Sequence, residues 1–237
     1  MSGQFISRRI LLTVFAAAAI FLLLVPRLPA PISEELSSPS APPQPKPKPK
    51  PKPKPTESES SQRDPHPSKI TSVTFLSKDN VTAGNWRTTY GADGYNIINL
   101  VANYPHYATA APIGETSYIW TNSTNDVRAL YKPGSSATDR FAGCWYSSGA
   151  FSVDLNLNDG LIHRIALYCV DWDTTSRVEI IDILDPLNNS VLSRQNVTAF
   201  NGGQYLIWNI RGHVVIRITG TGFPNAVLSG LFFDTRK

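Results

Sequence analysis

The sequence predicts an all-β protein: an antiparallel β-sandwich of jelly-roll type at residues 69–237, behind an N-terminal hydrophobic helix within 1–26 and a disordered Pro/Lys-rich linker at 27–68. Three observations predict it. About a dozen short segments of alternating or continuous apolar character follow residue 69, separated by Gly, Asn, Asp and Pro turns. No stretch there holds a helical apolar period over three turns. A compositional break near Lys69 separates this part from a Pro-rich segment that cannot build a core.

The chain has 237 residues, room for one ordinary domain with appendages. Ile10 to Val25 run 16 residues without a charge, directly after Arg8 and Arg9. This is either a secretory signal peptide or a signal anchor that enters the membrane through residues 10–25. The basic flank keeps the N-terminus in the cytoplasm and sends the rest outward. Leu28-Pro29-Ala30 is the best cleavage candidate, but Leu28 is bulky and Pro31 would follow the cut. The expectation is a membrane-anchored chain with its C-terminal domain outside the cytoplasm, or a secreted one if the leader is cleaved. Ser7-Arg8-Arg9 reads as an ordinary basic flank or as a twin-arginine export signal.

From Pro45 to Pro55 proline and lysine alternate strictly. Proline fixes φ and removes a donor, so the tract favours polyproline II and would span roughly 30 Å at ~3.1 Å per residue. It reads as a spacer or as inert low-complexity sequence. The formal net charge of +4 arises here. Residues 1–67 hold nine of the 22 Lys/Arg and five of the 18 Asp/Glu, which leaves thirteen of each from residue 68 onward. The sandwich is neutral, so no nucleic-acid partner is implied.

The expected strands are 70–76, 95–100, 117–121, 127–131, 140–146, 151–156, 162–172, 177–184, 190–194, 204–210, 213–219 and 226–233. Turn residues divide them at 91–94, 132–134, 158–160, 185–189, 201–203 and 220–225. Val214, Ile216 and Ile218 define one apolar face against Val215, Arg217 and Thr219. Trp145 and Trp208 read as core.

Catalytic motifs are absent. There is no CxxC, HExxH, P-loop, GxSxG elbow or dinucleotide fingerprint, and His106, His163 and His213 form no ligand pair. No DxDxD-type loop calls for calcium, and no cofactor is expected. Asp171 and Asp173 lie two apart, on one face if the strand continues through them. A glycosidase needs two carboxylates flanking a bond, and a turn role explains Asp173 more simply. Cys144 and Cys169 either pair as a disulfide between neighbouring strands or remain two buried thiols. Four glycosylation sequons begin at Asn80, Asn122, Asn188 and Asn196.

The aromatic residues carry the functional expectation. Trp86, Arg87, Tyr90 and Asp93 lie in a polar, Gly-rich segment that reads as too wet for a core strand. Tyr107 and Trp120 extend the set, as do Trp172 with Asp171, Asp173 and Arg177. A pyranose stacks its C–H face on an aromatic ring while its hydroxyls take planar polar partners. These ten residues are the expected ligand site, and a glycan or polysaccharide is the expected partner. The expectation is a non-catalytic carbohydrate-binding module. The alternatives are an envelope structural or protein-interaction module, favoured if Trp86 and its neighbours are buried, and a polysaccharide hydrolase.

A resemblance accompanies this reading. Its pieces are Gly84-Asn85-Trp86, Tyr90-Gly91-Ala92-Asp93-Gly94-Tyr95, Asp126-Val127-Arg128-Ala129-Leu130 and Cys144-Trp145-Tyr146-Ser147. They continue in Leu167-Tyr168-Cys169-Val170-Asp171-Trp172-Asp173, Gly203-Gln204-Tyr205-Leu206-Ile207-Trp208-Asn209, Gly212-His213-Val214 and Val227-Leu228-Ser229-Gly230-Leu231-Phe232-Phe233. With them, residues 73–233 resemble a galactose-binding-like β-sandwich module of bacterial exported multidomain proteins. The resemblance implies that fold and neighbours that act on glycans or are immunoglobulin-like. It implies no particular ligand or binding residue, and a module standing alone behind a tether departs from the usual setting. The apolar run with its Pro-Lys tract separately resembles the front of TonB-type energy transducers, but the C-terminal part does not, so that function is not carried over.

Overall fold

A computed structural model of the chain describes residues 70–135 and 138–235. The expected hydrophobic helix within 1–26 and the linker at 27–68 lie outside the described residues. Among the described residues no helix is long and apolar enough to cross a membrane.

The described chain forms fifteen strands and one 3-10 turn, Trp86–Thr88. In order the strands are β1 (Ser72–Asp79), β2 (Gly94–Ile97), β3 (Val101–Asn103), β4 (Ala108–Ile113), β5 (Thr116–Thr124), β6 (Leu130–Tyr131), β7 (Arg140–Ser147), β8 (Ala150–Leu157), β9 (His163–Cys169), β10 (Glu179–Leu184), β11 (Val191–Val197), β12 (Gln204–Arg211), β13 (His213–Gly220), β14 (Ala226–Leu228) and β15 (Gly230–Thr235). They build a six-stranded sheet, β1-β12-β9-β15-β2-β3, a five-stranded sheet, β11-β10-β13-β8-β4, and a small sheet, β14-β7-β5, with β6 on β7. Every pairing among them is antiparallel. The expected all-β antiparallel sandwich is the observed architecture.

Side-chain alternation explains how the layers close. In β8, Phe151, Val153, Leu155 and Leu157 point inward while Ser152, Asp154 and Asn156 are half-buried. In β13 the inward set is Val214, Ile216 and Ile218, as the period-two pattern requires. These faces of the five-stranded sheet pack on Ile165, Leu167, Leu206, Trp208 and Phe233 of the six-stranded sheet. Trp208 is fully buried, donates its Nε1–H to Ser193 Oγ at 3.0 Å and meets Phe75 edge-on at 5.3 Å.

The six-stranded sheet is covered on its other face as well. Ala166, Tyr168, Tyr205, Ile207 and Phe232 pack beneath Trp86, Tyr90, Leu130 and Phe141. This overturns the expectation that Trp86 and Tyr90 form a wet platform. Trp86 is only 4 % exposed, and its Nε1–H donates to the Tyr131 carbonyl at 2.9 Å. Tyr90 stacks on Tyr205 at 4.3 Å and donates its hydroxyl to Asp79 at 2.8 Å. The small polar residues around Trp86 let the backbone lie close against its neighbours. A Cβ on Gly84 would stand 1.8 Å from the Ala129 carbonyl oxygen, so only glycine fits.

Several segment boundaries differ from expectation. The segment 226–233 divides into β14 and β15 around the buried Ser229, whose amide donates to the Tyr168 carbonyl. The expected strand 162–172 ends at Cys169, so Asp171 and Asp173 are loop residues. Strands β3 and β4 were not anticipated. Pro112 argues against a strand in general, but β4 is an edge strand that needs no donor on its open side.

Candidate functional site

The connection between β9 and β10 organises the site. Asp171 is buried and accepts from the Thr174 amide, the Thr174 hydroxyl, the Arg177 amide and Arg177 Nη1. These bonds fold the segment back on itself, the usual reason for an Asp at the head of a turn. Asp173 also accepts from Arg177 Nη1, and the Arg177 Nε–H donates to Asn225 Oδ1 at 2.9 Å. The guanidinium is thus held by Asp171, Asp173 and Asn225, with a longer contact to the Thr174 hydroxyl, and the side chain is 3 % exposed. Its Nη2 makes no hydrogen bond to protein among the described residues.

A cleft of about 220 Å³ opens over this guanidinium. Tyr118 and Trp120 come from β5, Cys144 and Tyr146 from β7, and Val227 from β14, with Asn225 before it. Asp173 and Arg177 complete the lining. Strand register brings the rings together. Tyr118 pairs with Cys144, Val227 pairs with Tyr146, and i,i+2 spacing puts Tyr118 beside Trp120. Tyr118 is 52 % exposed and meets Trp120 edge-on at 6.1 Å and Tyr146 edge-on at 6.3 Å. Trp172 backs the wall, stacked on Trp120 at 6.3 Å with 28° between the rings.

Of the expected residues, Trp120, Asp171, Trp172, Asp173 and Arg177 therefore come together. Trp120, Asp173 and Arg177 line the cleft, Asp171 and Trp172 support them from outside its lining, and the other five take no part in it. Arg87 is exposed and donates to the Ser135 carbonyl. Tyr107 is buried, stacks on His163 at 3.6 Å and donates its hydroxyl to Asp93 at 2.8 Å. A wider recess of about 570 Å³ lies over Asp93, Tyr107 and His163. Asp93 accepts from Tyr107 there and His163 Nε2 meets Asp159 at 2.9 Å, while the buried His163 Nδ1 has no hydrogen-bond partner among the described residues. The tyrosine ring also has one face covered by the imidazole. Trp86 and Tyr90 belong to the core, as described. Sequence reasoning missed Tyr118, Tyr146 and Asn225. The Tyr-Ile-Trp alternation in β5 was a usable signal for the first; nothing local marked the others.

The charges near the cleft are asymmetric. Burial opposes ionisation of Asp173, but hydrogen bonds from Arg177 and from Trp120 outweigh it and hold its pKa below the ordinary carboxylate value. Burial also opposes the charge on Arg177, and the two aspartates reverse that and raise its pKa. Glu179 lies sealed in the interior, its Oε2 accepting the Val227 amide at 2.8 Å, and burial pushes its pKa up to about 7. Cys144 and Cys169 are both buried free thiols, not a disulfide. They belong to strands of different sheets, and desolvation raises both, Cys144 to about 12, so neither is an activated nucleophile.

No family model matches the chain, and no curated protein matches it in sequence. The solved structures that show similarity include two. One is an exo-β-1,3-galactanase from Phanerochaete chrysosporium with β-1,3-galactotriose, at 15 % identity and a TM-score of 0.30 over 59 % of this chain. The match spans 32 % of the galactanase, about a third of its length. The other is TmCBM61 in complex with β-1,4-galactotriose, at 9 % identity and a TM-score of 0.22 over 55 % of this chain and 90 % of that one. These scores are too low to carry a functional argument. The class defined by fold and site together is an antiparallel β-sandwich with an aromatic-walled, arginine-floored surface cleft.

Proposed function

We propose that this sandwich is a non-catalytic carbohydrate-binding module, and that the chain displays it outside the membrane, with residues 10–25 as anchor and the Pro-Lys tract as spacer. One observation carries the reading: Arg177 is locked by Asp171, Asp173 and Asn225 at the floor of a cleft walled by Tyr118, Trp120 and Tyr146. A sugar offers an apolar C–H face and a fringe of hydroxyls. The rings take the first, and Arg177 Nη2, the Asn225 amide and Asp173 take the second. The resemblance of residues 73–233 to galactose-binding-like modules is in keeping with this.

The cleft lies below the ~300–1,000 Å³ common for sites that enclose a drug-sized ligand. It suits one or two sugar units held weakly. Many tethered copies on one polysaccharide would offset that weakness through effective concentration. Binding rather than hydrolysis is supported by the carboxylates. Asp171 and Asp173 converge on one guanidinium instead of flanking a bond, and Glu179 is sealed from any glycoside.

A second reading, an envelope module that docks on another protein, is favoured by the burial of Trp86, Tyr90 and Tyr107. Those rings have structural roles and need no ligand. A glycan array probed with the full-length chain, as wild type and as Trp120→Ala, separates the two. The expected result is binding by the wild type and a loss of about five- to thirtyfold in the variant, from ~1–2 kcal/mol of stacking. Absence of glycan binding by the wild type would leave the docking reading in its place.

A further inference from the structure

The charge pattern of the cleft points to the kind of glycan it admits, an inference that rests on the carbohydrate reading above. Two carboxylates, Asp171 and Asp173, meet the single guanidinium of Arg177, so the ionic cluster is formally −1. Asp173 is the exposed member, with 48 % of its side chain open to solvent. A second cation, Arg128, lies over Trp172 behind the aromatic wall, and it is already neutralised by Asp126. Its Nε and Nη2 donate to Asp126, and its Nη1 donates to the Trp172 and Asn201 carbonyls. Among the described residues, Arg177 is the one basic residue lining the cleft. Glu179 lies behind the floor, and ionising it would only add negative charge.

What Arg177 offers a ligand is therefore the hydrogen-bonding geometry of Nη2 without a surplus of positive charge. A sugar hydroxyl accepts from such a donor at no electrostatic cost. A uronate carboxylate placed there would lie close to Asp173, in a site whose positive charge is already matched. We propose that the cleft selects uncharged glycan chains and rejects chains of uronic acids. Like charges about 5 Å apart at a partly wet surface repel enough to weaken binding by about tenfold or more.

The test compares matched ligands on the full chain. Lys46, Lys48, Lys50, Lys52 and Lys54 are replaced by Gln in every protein used, because the tether would otherwise attract anions on its own. Three neutral trisaccharides, β-1,4-galactotriose, cellotriose and mannotriose, are titrated calorimetrically beside the C6-carboxylate made by oxidising each. At least one neutral trisaccharide should bind, with its oxidised partner about tenfold or more weaker at low salt. Asp173→Asn, which keeps an acceptor for Arg177 but removes the charge, should narrow that gap to about threefold or less, whatever it does to the neutral affinity. Equal or tighter binding of the oxidised sugar, or a gap that Asp173→Asn leaves intact, would overturn the charge selection while the carbohydrate reading stood. If no trisaccharide binds in either form, both fall together.

Discussion

Arg128 lies over the Trp172 ring, its guanidinium carbon 4.5 Å from the ring centroid. Trp120 stacks on Trp172 in turn, so Trp172 is an inner layer that sets the angle of Trp120. The stack joins three segments of chain: the loop before β6, the loop after β9, and β5.

Removing the outer layer is expected to loosen the inner ones. Arg128→Ala should weaken glycan binding by about three- to tenfold, the scale of one cation–π contact, without touching a cleft-lining residue. Arg128→Lys should restore little of it. The bidentate contact to Asp126 and the planar stack both require a guanidinium. Titration of the bound sugar, with near-ultraviolet dichroism of the tryptophans as a check on their packing, measures this.

Trp86 and Trp120 should respond in opposite ways. Trp86→Ala removes a buried ring between Tyr95 and Phe232 and should lower unfolding free energy by about 3–5 kcal/mol. The affinity of the protein that remains folded should not change. Trp120→Ala, which removes a ring only partly buried, should lower the denaturation midpoint less than Trp86→Ala does and reduce affinity. A denaturant curve and a binding isotherm for each variant check both halves.

Glu179 should make stability depend on pH. Its pKa is about 7 in the fold against an ordinary value of 4.5, so the native state holds a proton that the unfolded chain releases. The contribution is full below about pH 4.5 and declines as pH rises toward 7, by an amount on the order of a few kcal/mol. Asp173, with its lowered pKa, acts in the opposite sense in more acidic solution. Glu179→Gln should flatten the decline between pH 5 and 7, as read from unfolding midpoints across that range. A decline that persists in the variant would assign it to another group.

Alternation was the most legible feature of the sequence. Residues 151–156 alternate strictly and 213–219 do so except at Val215, because one side of each strand faces the core and the other does not. The pattern gave no such guidance around Trp86. Gly84, Asn85 and Arg87 read as a wet loop, but glycine there serves close backbone contact and the loop covers a second apolar face. Burial on that face is a tertiary fact with no local period. At the cleft, Asp171, Asp173 and Arg177 were visible as a cluster because they fall within seven consecutive residues. Tyr118, Tyr146 and Asn225 arrive from strands and a loop joined by sheet register, which spacing along the chain does not encode.

The covering of the six-stranded sheet on both faces bears on how the molecule can be re-engineered. A reporter or affinity tag spliced between Ala83 and Asp93 would prise the Trp86 and Tyr90 rings from their seats and bare hydrocarbon to water. The hairpin tip between β10 and β11 is the safer graft point. There Leu187 already stands in solvent, and the Asp185 amide pairs with the Ser190 carbonyl to close the neck beneath any cargo.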